Sequence, residues 1–318
     1  MELYKVFSEG LLSPFQKMKY KKGIWYTCKD FDEDKMNSCS NGFYATDIEG
    51  IPYSIQPGRD IYMVEVEGKS VECGPYKRRY EKIKIIRKCS KKEILAEAIN
   101  AEEKLGYKLS EAIFPVHPLR GNPRKPQKQD INNLILWALV WNSVAASVGD
   151  SVWDSARNSV AASVGDSVAA LVVASVVASV GDSVAASVRN SVEASVWASV
   201  GDSVGDSVRN SVAASVWASV GDSVWDSVAA SVAASVAASV WDSMEASVWA
   251  YISGLFPNVS DWKYTEHEKG INPFQPCIDL WYRGFVPAFD GTTWMLHSGK
   301  DGAIVFEIKK SDMNWKKR

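Results

Sequence analysis

Histidine, cysteine and excess charge are scarce in this chain of 318 residues. Three histidines and five scattered cysteines, with no CxxC pair, give neither zinc-ligand spacing nor a disulfide framework. We therefore expect no bound metal and reduced thiols, as in a cytosolic protein. Lys and Arg number 36 against 38 Asp and Glu, a net charge of −2. That balance argues against direct nucleic-acid binding.

Targeting signals, uninterrupted apolar runs and catalytic motifs are also missing. The first eight residues lack a basic region followed by an apolar one, so no signal peptide is predicted. Charged residues interrupt the Val/Ala-rich middle, and each would cost about 2.5–3.5 kcal/mol at a bilayer centre. We expect no membrane span and a cytoplasmic or virion-associated location. No GxSxG, Walker, HExxH or dinucleotide fingerprint occurs, so we expect neither an enzyme nor a cofactor.

The N-terminal block, residues 1–113, has the pattern of a small α+β domain. Residues 62–67 and 82–87 alternate between apolar and charged side chains, which predicts two half-buried strands. Ser90 and Glu93 have the spacing of a capping box, which predicts a helix over residues 91–105 that ends at Gly106.

A segment rich in proline and basic residues follows, over residues 114–130. Its prolines disfavour both a helix and a central strand. Its cations could contact a phosphate, but a solvated linker is the interpretation that we favour. They are Arg120, Arg124, Lys125 and Lys128.

A tandem array of Ser-Val-x-x units is the strongest signal in the sequence. It spans residues 143–254 in 28 units, preceded by an apolar stretch at residues 131–141, and we treat residues 131–254 as one repeat domain. A period of four exceeds one helical turn by about 40°, so a valine stripe would wind around a helix. Ser and Val are also weak helix formers. We therefore predict a β-solenoid of unassigned handedness, with α-helices as the alternative.

In that solenoid the third residue of each unit would face solvent. The tryptophans at this position would form an exposed binding surface for a protein partner that the sequence does not identify. They are Trp153, Trp197, Trp217, Trp225, Trp241 and Trp249. The array carries nine Asp, two Glu and three Arg, so an acidic solenoid that mimics DNA toward a basic partner is an alternative function. An oligomer is also possible, because solenoid ends are open sheet edges.

The C-terminal block, residues 255–318, is predicted to be a small β-rich module that caps the array. Turn signals near Asp290 and Gly302 have strand-forming flanks. His297 and Ser298 are adjacent in sequence, and such neighbours rarely face each other, so we do not expect a catalytic pair.

The regions outside the array resemble uncharacterised phage and prophage repeat proteins. In the N-terminal block the resemblance rests on residues 4–7, 40–45, 64–66 and 82–86, and in the C-terminal block on residues 279–281, 284–287 and 294–299. It implies an N-terminal phage domain of unknown function. On this basis we expect a non-enzymatic repeat protein that serves as a rigid spacer or as a protein-binding scaffold.

A second resemblance leads to a different function. Residues 42–46, the strand around residues 64–66 and residues 80–83 are similar in order to elements of ADP-ribosyltransferase folds. The resemblance implies NAD binding, in which Tyr44 would stack on the nicotinamide and Glu81 would orient the ribose.

Overall fold

A computed structural model describes residues 3–13, 18–37, 40–53, 59–73, 77–144, 192, 241–262, 265 and 267–313. The chain divides into two compact units, with a boundary between Pro115 and Val116. We call them the N-terminal domain (described residues 3–115) and the C-terminal domain (described residues from 116 onward).

A five-stranded antiparallel sheet forms the N-terminal domain. Its strands are β1 (Leu3–Phe7), β2 (Trp25–Thr27), β3 (Phe43–Ala45), β4 (Asp60–Glu72) and β5 (Arg78–Lys88). Their order is β1-β4-β5-β2, and β3 also pairs with β5. The long strands β4 and β5 contain the two predicted strands, which confirms both. Their charged positions pair across the strands, as Glu65 does with Lys84.

Aromatic side chains fill the core of this sheet. Phe7 meets Tyr20 and Tyr62 edge to face, with ring centroids 5.3 and 5.4 Å apart. Each buried aromatic ring contributes about 1.5–3 kcal/mol through removal from water. The buried cluster comprises Phe7, Tyr20, Phe43, Ala45, Tyr62, Val64, Tyr80, Ile83 and Ile85.

The helix after β5 begins and ends as predicted. In α1 (Lys91–Leu105), the Glu93 main-chain N–H donates to Ser90 Oγ at 3.2 Å, and the Ser90 N–H donates to a Glu93 carboxylate oxygen at 2.7 Å. This reciprocal pair satisfies two N–H groups of the first turn. Gly106, at φ +74°, ends the helix. A 3-10 helix (Ile48–Tyr53) and α2 (Leu109–Ile113) complete the domain.

The described part of the C-terminal domain combines three α-helices with a three-stranded antiparallel sheet. The helices are α3 (residues 128–144), α4 (Trp241–Ser253) and α5 (Gln275–Tyr282). The strands are β6 (Phe285–Phe289), β7 (Thr293–Ser298) and β8 (Ala303–Lys309), in the order β6-β7-β8. The sheet confirms the strands that the sequence predicts after Asp290 and Gly302.

Tryptophan dominates the core of the C-terminal domain. The ring of Trp141 on α3 meets Trp294 on β7 edge to face at 5.9 Å, and Trp294 stacks on Phe289 of β6 at 4.8 Å. These rings bury large apolar areas, so they hold α3 against the sheet. The buried tryptophans with at most 4% exposure are Trp137, Trp141, Trp262, Trp281 and Trp294.

The proline-rich segment packs on the C-terminal domain. The Val116 N–H donates to the Tyr251 hydroxyl at 3.0 Å, and its carbonyl accepts from Trp281 Nε1 at 2.6 Å. Further along, the segment passes so close to Gly299, at φ +78°, that a Cβ there would lie 2.6 Å from Pro123 N. Residues 116–127 therefore form a strap fixed to this domain, where the sequence favoured a solvated linker.

The β-solenoid prediction is wrong, because the described part of the array is helical. Residues 143–144 belong to α3, residue 192 is helical, and residues 241–253 form α4. The sheets of the described residues are two small antiparallel ones outside the array. Array residues 145–191 and 193–240 lie outside the described residues. What is described follows the helical alternative.

Two features of α4 answer the physical objections to a helix. Its described side chains, at residue 243 and residues 246–253, are all buried, so a valine stripe that winds around the helix still finds packing partners. The Ser247 hydroxyl donates to the Ser243 carbonyl, one turn earlier, at 3.0 Å. The same hydroxyl lies 3.2 Å from the Pro287 carbonyl on β6, so its single proton has acceptors on the helix and on the sheet, and the buried serine is satisfied.

Candidate functional site

The sheet places the two residues suggested for NAD binding on neighbouring strands. Tyr44 on β3 lies opposite Arg79 on β5, and Glu81 follows two positions along β5, so the three residues lie on one face. The Tyr44 hydroxyl accepts from Ser40 N at 2.8 Å and donates to Ser40 O at 2.9 Å. Lys77 Nζ lies 4.7 Å from the centre of the ring. Intramolecular contacts thus already hold both the hydroxyl and the ring of Tyr44.

The Glu81 carboxylate stabilises a β-bulge in the neighbouring strand β4. The register of β4 against β5 shifts between Glu67 and Ser70, where Gly68 adopts φ +82°. Within this bulge the Lys69 main-chain N–H donates to Glu81 Oε2 at 2.9 Å. The carboxylate therefore has a structural task that accounts for its position.

Arg79 is a fully buried cation that fixes the loop before β3. Its Nη1 donates to Asn37 O at 2.7 Å and its Nη2 to Asp34 O at 2.8 Å, while Asp32 Oδ2 lies 4.0 Å from Nη2. Hydrogen bonds from the Ser40 side chain and the Asp34 main chain hold the pKa of Asp32 below its usual value. The guanidinium thus organises this loop, where carboxylates stand at residues 30, 32, 33 and 34. This acidic run is the sequence signal for the loop.

Lys5 is a functional candidate that sequence reasoning missed. Its Nζ donates to the Tyr44 carbonyl at 2.8 Å and lies 5.8 Å from the centre of the Phe7 ring. Burial lowers the pKa of Lys5 to about 8, which brings its amine within reach of neutral pH. In the sequence, Lys5 stands between the apolar Tyr4 and Val6, both of which are buried. This pattern did not indicate that the Lys5 amine is also removed from water.

The described residues offer no assembled centre for metal or acid–base chemistry. No group of three or more His, Cys, Asp or Glu side chains there could hold a metal ion. The His297 and Ser298 side chains stand on successive positions of β7 and so leave opposite faces of the sheet. His297 Nδ1 lies 2.9 Å from the Gly302 carbonyl, whereas the Ser298 hydroxyl donates to the Gly284 carbonyl. They do not form a nucleophile and its base.

Of the six tryptophans suggested as an exposed surface, one has a described side chain. Trp249 lies on α4 and is buried, with 9% of its surface exposed. Trp241 is the first residue of α4, but its side chain lies outside the description. The remaining four, Trp153, Trp197, Trp217 and Trp225, lie outside the described residues.

The helices that contain the two ends of the array, α3 and α4, both contact the sheet of the C-terminal domain. At the entry, Trp141 of α3 contacts Trp294. At the exit, Ser243 of α4 accepts from Phe289 N at 2.8 Å, and Phe289 stacks on Trp294. One aromatic pair therefore contacts both helices. The chain therefore enters and leaves the undescribed part of the array from one domain, which the sequence could not reveal.

Comparison of the chain with protein-family models, with curated proteins and with solved structures finds no match. Among the described residues, no helix is both long enough and apolar enough to cross a membrane.

Proposed function

We propose that this protein is a non-enzymatic, phage-type repeat protein that acts as a protein-binding scaffold and displays the Ser-Val-x-x array as an insertion from its C-terminal domain. The proposal rests mainly on the contacts of Trp141 and Ser243 with the Phe289–Trp294 pair. A spacer between two domains would have one end in each. Here both ends belong to one domain, which favours a displayed scaffold over a rigid spacer.

The non-enzymatic part of the proposal is supported by the engagement of the candidate catalytic groups. Tyr44, Arg79 and Glu81 all make intramolecular contacts that explain their positions. The suggested mimicry of DNA depended on an acidic solenoid, and it loses that support because the described array residues are helical.

Excision of the array tests this proposal. Residues 145–240 would be replaced by about eight Gly and Ser residues, whose root-mean-square reach of about 16 Å spans neighbouring helices. The near-ultraviolet circular dichroism of the tryptophan core should be retained, because Trp141 and Trp294 remain. A binding partner captured and identified with the full chain should no longer bind.

Two results would contradict the proposal. Loss of the tryptophan signal on excision would show that the array is part of the domain core and not an insertion displayed from it. Undiminished affinity of the identified partner for the excised chain would show that the array does not carry the binding surface.

A further inference from the structure

A small basic cleft lies between the strap, the start of α3 and the turn from α5 to β6. Its volume is about 290 Å³, near the lower end of the range for small-molecule sites. The lining residues are Arg124, Lys125, Gln127, Asp130, Tyr282, Arg283 and Phe285.

The charges that line this cleft do not balance. Asp130 is buried, and both of its carboxylate oxygens are occupied, Oδ1 by Arg283 Nε and Oδ2 by Arg283 Nη2 and the Gln127 N–H. This pair neutralises itself. Arg124 and Lys125 add two positive charges that no acidic lining residue offsets. The cleft therefore has the polarity of an anion site.

The cations also keep unused donors. Arg283 is held in place through Nε and Nη2, and its Nη1 makes no hydrogen bond within the described part of the chain. Arg124 donates through Nη1 to the Arg283 carbonyl at 3.1 Å, and its Nη2 has no partner there. Lys125 forms neither a hydrogen bond nor an ion pair with any described residue. A guanidinium whose position is fixed loses little entropy when it binds an oxyanion.

Two further features narrow the ligand class. The N-terminal end of α3, whose macrodipole favours an anion, begins at the cleft. The ring of Tyr282 lines the cleft and is 40% exposed, so a planar group could pack on it.

We propose that this cleft binds a small phosphate monoester carried on an aromatic or heteroaromatic group. The phosphate oxygens accept from Arg124, Lys125 and Arg283, and the ring packs beside Tyr282. Guanidinium groups suit this role because their fork of N–H donors matches phosphate oxygens.

Calorimetric titration of the full-length protein at low salt tests the proposal, with AMP, inorganic phosphate and adenosine as probes. AMP should bind saturably, phosphate should compete with it more weakly, and adenosine should show little affinity. Lys125→Gln should weaken AMP binding about three- to tenfold, since it removes one charge-assisted contact. Raising the salt should also weaken binding, because part of the site is exposed.

Lys128→Gln is the matched control. Lys128 is an exposed cation three residues further along that does not line the cleft, so its removal should change AMP affinity less than about twofold. The proposal is overturned if AMP shows no saturable binding. It is also overturned if the Lys125 and Lys128 variants weaken binding equally, because diffuse charge would then explain the effect. Saturable adenosine binding as tight as that of AMP would show that the phosphate is not recognised.

Discussion

The serines of α4 complete the hydrogen bonds along the outer edge of β6, which α4 covers, and this arrangement gives a specific prediction. The strand β6 is an edge strand whose outward-facing main-chain groups include Pro287 O, Phe289 N and Phe289 O. Ser247 Oγ lies 3.2 Å from Pro287 O, and Ser243 Oγ accepts from Phe289 N at 2.8 Å and donates to Phe289 O at 3.4 Å. Because proline has no N–H, two hydroxyls satisfy this edge.

Replacing Ser247 with alanine should therefore destabilise the C-terminal domain. The change removes the one hydroxyl proton that the Ser243 and Pro287 carbonyls share, and it leaves Pro287 O without a side-chain donor in a buried contact, which costs about 1–3 kcal/mol. Alanine recovers about 0.5 kcal/mol through its higher helix propensity. The net loss should be about 1–2 kcal/mol, or about 2–8 °C in melting temperature for a domain of this size. Thermal unfolding followed by near-ultraviolet circular dichroism measures it.

Ser143 provides a matched control within the same repeat. It holds the same first position of a unit and is helical in α3, but its side chain is exposed. Ser143→Ala should be neutral or should stabilise the domain by up to about 0.5 kcal/mol. If Ser247→Ala and Ser143→Ala gave the same unfolding free energy, the hydroxyl would contribute nothing to the strand edge, and the reasoning would be refuted.

Four further measurements test other parts of the structure. Gly42→Ala would place a methyl group 2.7 Å from Arg79 Cδ, so urea unfolding should show a loss of about 2–4 kcal/mol. Glu81→Ala should cost about 1 kcal/mol, and calorimetry of the full chain should show no saturable NAD binding with or without this change. Burial lowers the pKa of His297, so stability present above the unfolded pKa of about 6.5 is lost as pH falls, and His297→Gln should flatten that slope. Burial raises the pKa of Cys277 to about 12, so its thiol should react with a disulfide reagent only after unfolding.

Each of these measurements has a control or a contradicting outcome. Gly23 adopts φ +75° with no atom within 4 Å of an added Cβ, so Gly23→Ala should cost only about 1 kcal/mol, and an equal cost at Gly42 would contradict the clash. Saturable NAD binding would support the enzyme alternative. If His297→Gln left the dependence of unfolding free energy on pH unchanged, a group other than His297 would be responsible for it. Cys28 is half-buried and serves as the control. If Cys277 in the native protein reacted with the disulfide reagent as fast as Cys28 does, its burial would be contradicted.

Local signals in the sequence were sufficient to locate much of the secondary structure. The capping box at Ser90 and Glu93 and the glycine at position 106 set both ends of α1, because they act within one or two turns of the backbone. The alternation in β4 and β5 similarly depends on one period-2 pattern. Both kinds of signal act over a few residues.

Tertiary contacts decided the features that the sequence could not predict. The strap is held through Trp281, 165 residues away from Val116, and no local pattern encodes such a contact. Arginine is usually exposed, so the residue type gave no sign that Arg79 would be buried. Its fully buried guanidinium donates to the carbonyls of the loop before β3. Burial of Trp249 likewise depends on how α4 is enclosed and not on its place in the repeat unit.

The period of four, which argued against a helix, has a meaning at the edge of a sheet. Four residues of helix rise about 6.0 Å, and two residues of strand rise about 6.6 Å. A helix with serine at every fourth position therefore presents hydroxyls at nearly the spacing of the outward-facing main-chain groups of an adjacent strand. Ser243 and Ser247 match Phe289 and Pro287 in this way. The 40° advance per unit limits the match to a short stretch, and that is sufficient, because β6 is only five residues long. In α4 the four-residue period is therefore compatible with a helix, and it also sets the spacing of the serines that contact β6.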